Sequence, residues 1–299
     1  MRAAHVGTRA GCYPVADLQA PVYDRMVLSG VRRRQTVRDV GTRASVGAHP
    51  HAEGPAVPVG EVHVWRASLE EPPDVIAHLR SLLAADERDR ADRFHFARDR
   101  DRYTVGRGVL RMLLGRYLRV PADSLRFDYG EFDKPMVAGG GIHFNLSHSG
   151  SLALYAFDAD TEVGIDIELD DDDFAQERIA ERFFSKAEVG VLRSLPETMQ
   201  PHAFMTCWTR KEAFIKARGD GLSLPLDSFD VSLAPDAPAA LLRTAWSARE
   251  PEEWWLRDLS DPTRGYVAAL AMRSGERRVV TREVIGGAAA EPTSQQGAR

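Results

Sequence analysis

Glu162-Val163-Gly164-Ile165-Asp166-Ile167-Glu168-Leu169 decides how this chain is read. Side chains on a strand alternate between its two faces. Val163, Ile165, Ile167 and Leu169 therefore share one face, and Gly164, Asp166 and Glu168 share the other. The apolar face asks for a core. The other face sets two carboxylates side by side, where they repel unless a cation or hydrogen-bond donors intervene. A solvated face at a sheet edge and a site for a hard, oxygen-loving metal such as Mg2+ both fit this segment alone.

Downstream, Ser185-Lys186-Ala187-Glu188 has the pattern of a capping box that opens a helix. A second helix is expected over 201–218, stopped by Gly219. It carries Trp208-Thr209-Arg210-Lys211-Glu212-Ala213-Phe214-Ile215-Lys216, with Trp208, Glu212 and Ile215 along one side and Lys216 one turn beyond Glu212. Alone, this reads as a surface Glu–Lys pair worth about 0.3–0.5 kcal/mol. With Asp166 and Glu168 it supplies three acids and a lysine, a set suited to a metal-bridged pyrophosphate. The run Asp170-Asp171-Asp172-Asp173 reads as a solvated loop.

Upstream, Ile142, Phe144 and Leu146 alternate with His143 and Asn145 as a strand, and 152–157 is its hairpin partner. Asn145, Ser147 and His148 are expected around the turn between them, where Ser147 and His148 are candidates to hydrogen-bond a phosphate. Asp133-Lys134-Pro135 reads as a turn that presents the Lys134 ammonium. One long helix is expected from about 86 to 119, with Tyr103, Leu110, Leu114 and Tyr117 on its apolar face and Pro121 at its end. Arg90, Arg98 and Arg102 stand four and eight positions apart in it, a spacing that would place them on one face.

An alternating strand opens the ordered part at Gly60-Glu61-Val62-His63-Val64-Trp65, and further strands are expected at 229–233 and 266–272. Each half then holds strands and a long helix, which predicts an α+β architecture of two subdomains, 60–161 and 162–285. Residues 1–59 lack sustained periodicity and read as a poorly ordered extension, with 286–299 as a small, polar tail.

A net charge of −5 argues against a protein that coats nucleic acid by bulk electrostatics. No apolar run approaches the ~20 residues of a membrane span, and the N-terminus has no signal-peptide core. The two cysteines, Cys12 and Cys207, do not suggest a disulfide scaffold; Cys207 reads as a small buried hydrophobe. A soluble protein of the cytoplasm is expected. GxSxG, HExxH, CxxC and Walker A patterns are absent.

Taken in order, these segments resemble the 4′-phosphopantetheinyl transferases of the larger Sfp-type class. Arg93-Phe94, Asp133-Lys134-Pro135, Phe144-Asn145-Leu146-Ser147-His148-Ser149 and Gly164-Ile165-Asp166-Ile167-Glu168 match in sequence order. Phe183-Phe184-Ser185-Lys186-Ala187-Glu188, Trp208 to Lys216 and Gly219 to Phe229 follow, so the likeness covers roughly residues 60–280. Each motif is weak, and the ordered set is specific. One departure is Asp133, where the family usually has glycine.

The resemblance implies a pseudo-twofold pair of α+β subdomains with coenzyme A between them. It implies transfer of the phosphopantetheine arm to a serine of an apo acyl or peptidyl carrier protein, releasing adenosine 3′,5′-bisphosphate, by a single-chain monomer. On it, Asp166, Glu168 and Glu212 hold Mg2+ (or Mn2+), Glu212 accepts the serine proton, and Lys216 offsets phosphate charge. Ser147, His148, Lys134, Pro135, Arg90, Arg98 and Arg102 then contact coenzyme A. A Mg2+-dependent phosphohydrolase and a non-catalytic coenzyme A or carrier binder are the competing readings.

Overall fold

The computed structural model describes residues 56–170 and 176–289, and within them one order of elements runs twice. The first run holds strand β1 (Glu61–Ser68), helices α1 (Pro73–Ser81), α2 (Ala85–Ala91) and the long α3 (Ala97–Leu118). A short hairpin, β2 (Phe127–Tyr129) and β3 (Pro135–Val137), and strands β4 (His143–Ser149) and β5 (Leu152–Asp158) complete it. The second run holds β6 (Val163–Leu169), α4 (Gln176–Phe183), α5 (Lys186–Ser194) and the long α6 (Gln200–Arg218). A short hairpin, β7 (Phe229–Val231) and β8 (Leu241–Thr244), and strands β9 (Trp255–Asp258) and β10 (Tyr266–Met272) again follow.

In each run the last strand pairs antiparallel with the first and with the one before it, giving the orders β1-β5-β4 and β6-β10-β9. These are the two similar α+β subdomains that the sequence predicts. A last pair breaks the repetition. Strand β11 (Arg278–Ile285), which the sequence reading groups with the second subdomain, lies parallel to β1 and extends the first sheet, with β12 (Ala288–Ala289) at its edge.

The strand alternation sorts residues between two cores. Trp65 and Ala67 of β1 pack with Val105, Val109, Leu113 and Leu114 of α3. Val62 and Val64 instead join Val163, Ile165 and Ile167 of β6 and Leu270 of β10. Each fully buried side chain of this kind contributes about 1.5–3 kcal/mol.

Buried ion pairs repeat the duplication. Glu87, third residue of α2, accepts from the backbone N–H of Ala84 and pairs with Arg111 of α3, which donates to the carbonyls of Ala122 and Leu125. Glu188, third residue of α5, accepts from Ser185 N–H and pairs with Lys211 of α6, which donates to the carbonyls of Leu226 and Phe229. In both halves the left-handed residue that closes the long helix, Arg119 (φ 58°) or Gly219 (φ 82°), stands eight positions past that cation. Charges this deep persist because each ion finds several polar partners.

Three expectations change. The helix foreseen from 86 to 119 is two helices, interrupted at 92–96, where Phe94 turns onto the Tyr103 ring at 5.3 Å. Arg90 is therefore on α2 and does not share a helix face with Arg98 and Arg102. Asn145, Ser147 and His148 lie on strand β4, because the hairpin turns only at Gly150-Ser151. Order starts before Gly60, since Val57 packs into the first core. Residues 1–55 of the expected extension, with Cys12, and Asp171–Asp173 lie outside the described residues, as does the tail from 290.

Helix α6 crosses β6 at Gly164. A Cβ there would fall 2.1 Å from the Ala213 carbonyl oxygen and 2.3 Å from the Ala217 nitrogen, both backbone atoms with little room to yield. Gly164→Ala should lower the melting temperature by 10 °C or more, about 3 kcal/mol of overpacking or worse. Gly190→Ala at an exposed position of α5, where an added Cβ meets nothing within 4 Å, should raise it slightly. Thermal denaturation of the two variants checks the contrast.

Candidate active site

The edge of the first sheet meets the edge of the second without a backbone ladder. Asn145, Ser147 and Ser149 alternate along β4 and point to β6, replacing the ladder with side chains. The Ile165 N–H donates to Asn145 Oδ1 at 2.8 Å, and the Leu169 N–H donates to Ser149 Oγ at 3.1 Å. The two serines also hold the two acids. Ser147 Oγ donates to Asp166 Oδ1 at 2.8 Å, and Ser149 Oγ donates to Glu168 Oε2 at 2.8 Å. Ser149 was not among the expected site residues, although the period-two series Asn145, Ser147, Ser149 is visible in the sequence.

From the other side, α6 brings Lys216, whose Nζ lies 2.6 Å from Asp166 Oδ1 and 3.0 Å from Ser147 Oγ. Burial alone would lower the Lys216 pKa, but Asp166 and Glu212 outweigh it and hold the ammonium above its ordinary value. Glu212, one turn earlier, is 7% exposed, and its pKa is pushed up to about 7 by burial and then by the Asp166 charge, against the opposing pull of Lys216. Asp166, Glu168, Glu212, Lys216 and Ser147 are thus brought together around one group of charges.

Among the described residues, no group of three or more His, Cys, Asp or Glu is gathered as a metal-holding set. Of the expected trio of ligands, Asp166 faces Lys216 and Glu168 accepts from Ser149. Two buried carboxylate oxygens nevertheless have no hydrogen-bond partner, Asp166 Oδ2 and Glu212 Oε1. Buried acceptors are ordinarily satisfied. Two hard anionic oxygens in this condition suit a small divalent cation, which needs only one or two carboxylates when phosphate and water supply the rest.

The other expected residues are dispersed. His148 is on the face of β4 opposite Ser147, in register with Ala153, on the side of the sheet that α3 covers. Arg98 is largely exposed and pairs with Asp99, Arg102 pairs with Glu70, and Arg90 lies over the Tyr103 ring at 5.5 Å. Lys134 is not presented to solvent: its ammonium is held by Glu162 and by the carbonyls of Val163 and Ala217, each at 3.3 Å. Pro135 lines a cavity of about 380 Å³ with Met136, Ile142, His143 and Glu162. Trp208 stacks with Phe204 at 6.2 Å, an anchoring role for the helix. Cys207 is fully buried, and burial drives its thiol pKa well up, which leaves it an inert hydrophobe.

Against known proteins, the chain is 42% identical to the 4′-phosphopantetheinyl transferase HetI of Nostoc sp. over 195 residues, 64% of this chain and 82% of that protein. The chain belongs to the 4′-phosphopantetheinyl transferase family. The family's superfamily model matches residues 162–271, and a second model for the N-terminal part of a 4′-phosphopantetheinyl transferase matches 64–160. The transferase Sfp of Bacillus subtilis is 36% identical over 54% of this chain and 71% of its own length. Among solved structures, the Thermotoga maritima holo-[acyl-carrier-protein] synthase aligns with a TM-score of 0.31 and 21% identity, over 39% of this chain and 64% of that one. That overlap is too small to carry an argument.

The electrostatics of this carboxylate–lysine cluster set a stability dependence. Glu212 has a folded-state pKa raised above its unfolded value, so its contribution is fully present below pH ~4.5 and is lost as pH rises through about 7. In metal-free buffer at pH 8, the buried charge then costs on the order of 3 kcal/mol. Glu212→Gln removes it. The variant should melt several degrees above wild type at pH 8, and the difference should vanish by pH 4.5, as read by scanning calorimetry across pH.

Proposed function

We propose that the protein transfers the 4′-phosphopantetheine arm of coenzyme A to a serine hydroxyl of an apo acyl or peptidyl carrier protein, releasing adenosine 3′,5′-bisphosphate. The observation that carries this reading is the pair of unpartnered buried oxygens, Asp166 Oδ2 and Glu212 Oε1, beside the Lys216 ammonium. Acceptors of this kind fit a hard cation, Mg2+ or Mn2+, held by Asp166 and Glu212 with Glu168 from the same strand face. When bound, that ion supplies charge neutralisation and a fixed orientation for the pyrophosphate of coenzyme A.

The chain's own groups do the rest. Glu212, buried beside Asp166 and Lys216, is the group that accepts the proton of the incoming serine, directly or through water. The serine oxygen forms a bond to phosphorus as the phosphorus–oxygen bond to the nucleotide breaks, and the electron pair leaves with adenosine 3′,5′-bisphosphate. Lys216 offsets charge on the attacked phosphate, and Ser147 orients both Lys216 and Asp166. Phosphoryl-group chemistry depends on such positioning and neutralisation more than on covalent help.

Contacts of His148, Arg90, Arg98 and Arg102 with the nucleotide and its phosphates rest on the family resemblance alone, since the structure sets His148 on the face of β4 opposite Ser147 and spreads the arginines over α2 and α3. Ser147 comes from the first subdomain and Asp166, Glu212 and Lys216 from the second, so one chain supplies both sides and a monomer suffices. No described helix is long and apolar enough to cross a membrane. The cytoplasm, where apo carriers are synthesised, is the compartment assigned.

Incubation with coenzyme A, Mg2+ and an apo carrier should add the mass of phosphopantetheine to the carrier in intact-mass spectrometry. Release of nucleotide without a carrier would support hydrolysis instead. Glu212→Gln should lower kcat by about 100-fold or more while the fold melts no earlier than wild type. Near-normal turnover would remove Glu212 as the base.

A further inference from the structure

The β2–β3 hairpin of the first subdomain reaches the end of α6 in the second. Its turn closes through Gly130 N–H to the Lys134 carbonyl at 3.0 Å and Asp133 N–H to the Gly130 carbonyl at 3.0 Å. Asp133 sits at φ 60°, in the left-handed region, where glycine is free of strain and Asp is among the better tolerated alternatives. Within the turn, Phe132 abuts Gly221, where an added Cβ would fall 2.7 Å from the Phe132 Cβ.

Lys134 goes deeper. Its side chain is 13% exposed, and its stem passes Gly219, the residue that closes α6. An ammonium has three donors, and here three acceptors meet it: the Glu162 carboxylate, the Val163 carbonyl and the Ala217 carbonyl. Val163 begins β6, and Ala217 lies in the last turn of α6, where a cation is favoured by exposed carbonyls. The second oxygen of Glu162 is braced by His143 Nδ1 at 2.8 Å. Ala217 directly follows Lys216, whose own ammonium must stay on Ser147 and Asp166.

We propose that Lys134 is a positioning residue: fixed by Glu162, it clamps the last turn of α6 onto β6 so that Lys216 keeps its place, and it does not bind the phosphates of coenzyme A. This departs from the phosphate contact that the motif around Lys134 suggests, and it rests on the transferase reading above. A phosphate ligand needs donors to spare, and this ammonium has its three committed. The Asp133 carboxylate, which would weaken a phosphate site beside it, is harmless next to a lysine with this task.

The test compares wild type, Lys134→Met, Glu162→Gln and the double variant in holo-carrier formation, with kcat and KM for coenzyme A measured separately, together with melting curves. Lys134→Met should lower kcat by about tenfold with the coenzyme A KM within about twofold of wild type, because misplacement acts on the transition state. Glu162→Gln should shift kcat the same way by less, and the double variant should be no worse than Lys134→Met alone. Glu162 is half-exposed, so its variant keeps the test decisive should Lys134→Met fail to fold.

A coenzyme A KM raised about tenfold with kcat unchanged would make Lys134 a phosphate ligand and overturn the role. A lower melting temperature with both constants unchanged would reduce it to a structural contact and overturn the role as well. Additive losses in the double variant would break the link to Glu162. A wild-type protein that adds no mass to the carrier would strike the transferase reading and this role together, whereas the other outcomes strike the role alone.

Discussion

The close approach of α6 to β6 at Gly164 is the constraint on which the site depends. No side chain larger than hydrogen fits between the strand and the helix backbone at Ala213 and Ala217. With the two elements this close, Asp166, one strand repeat beyond Gly164, comes under Lys216 and beside Glu212. The same closeness removes water, which raises the Glu212 pKa and leaves carboxylate oxygens without partners. The distance that makes the packing also makes the chemistry.

Buried this far, α6 has to satisfy polar groups that a surface helix leaves to solvent. Lys211 is fully buried and anchors the loop before β7 through two carbonyls, while Arg210 reaches Ser232 and Asp258. Neighbours in sequence thus divide the work, with Arg210 and Lys211 holding the helix and Glu212 facing the site. Arg111 holds α3 in the same manner, so the frame is common to both halves.

The chemistry is not common to both. Counting from the matched cations, Glu212 and Lys216 correspond to Met112 and Arg116. On the strand side, where the second half has Asp166, the first has Trp65 and His63. Both reach Tyr117 of α3: the Trp65 indole donates to the Tyr117 oxygen at 2.7 Å, and His63 Nδ1 lies 2.8 Å from it. Burial, aided by Arg282, pulls the His63 pKa down and favours a neutral ring there. One half is closed with aromatic rings and the other keeps ionised groups, so the duplicated frame carries a single carboxylate site among the described residues.

Sequence periodicity by itself determined the strand faces at 163–169, the helix over 201–218 with its glycine stop and the Ser185–Glu188 cap, because these follow from contacts a few residues apart, while the likeness of the two halves came from the family resemblance. It also singled out Asp166, Glu168, Glu212 and Lys216, since their residue types and order are unusual together. Only the tertiary structure decided where the donors go. Ser149 holds Glu168, Lys216 takes the Asp166 oxygen, Lys134 turns inward to Glu162 and α6, and β11 crosses to the first sheet. Those outcomes depend on which distant segment arrives at hydrogen-bond distance, and a linear spacing carries no information about that.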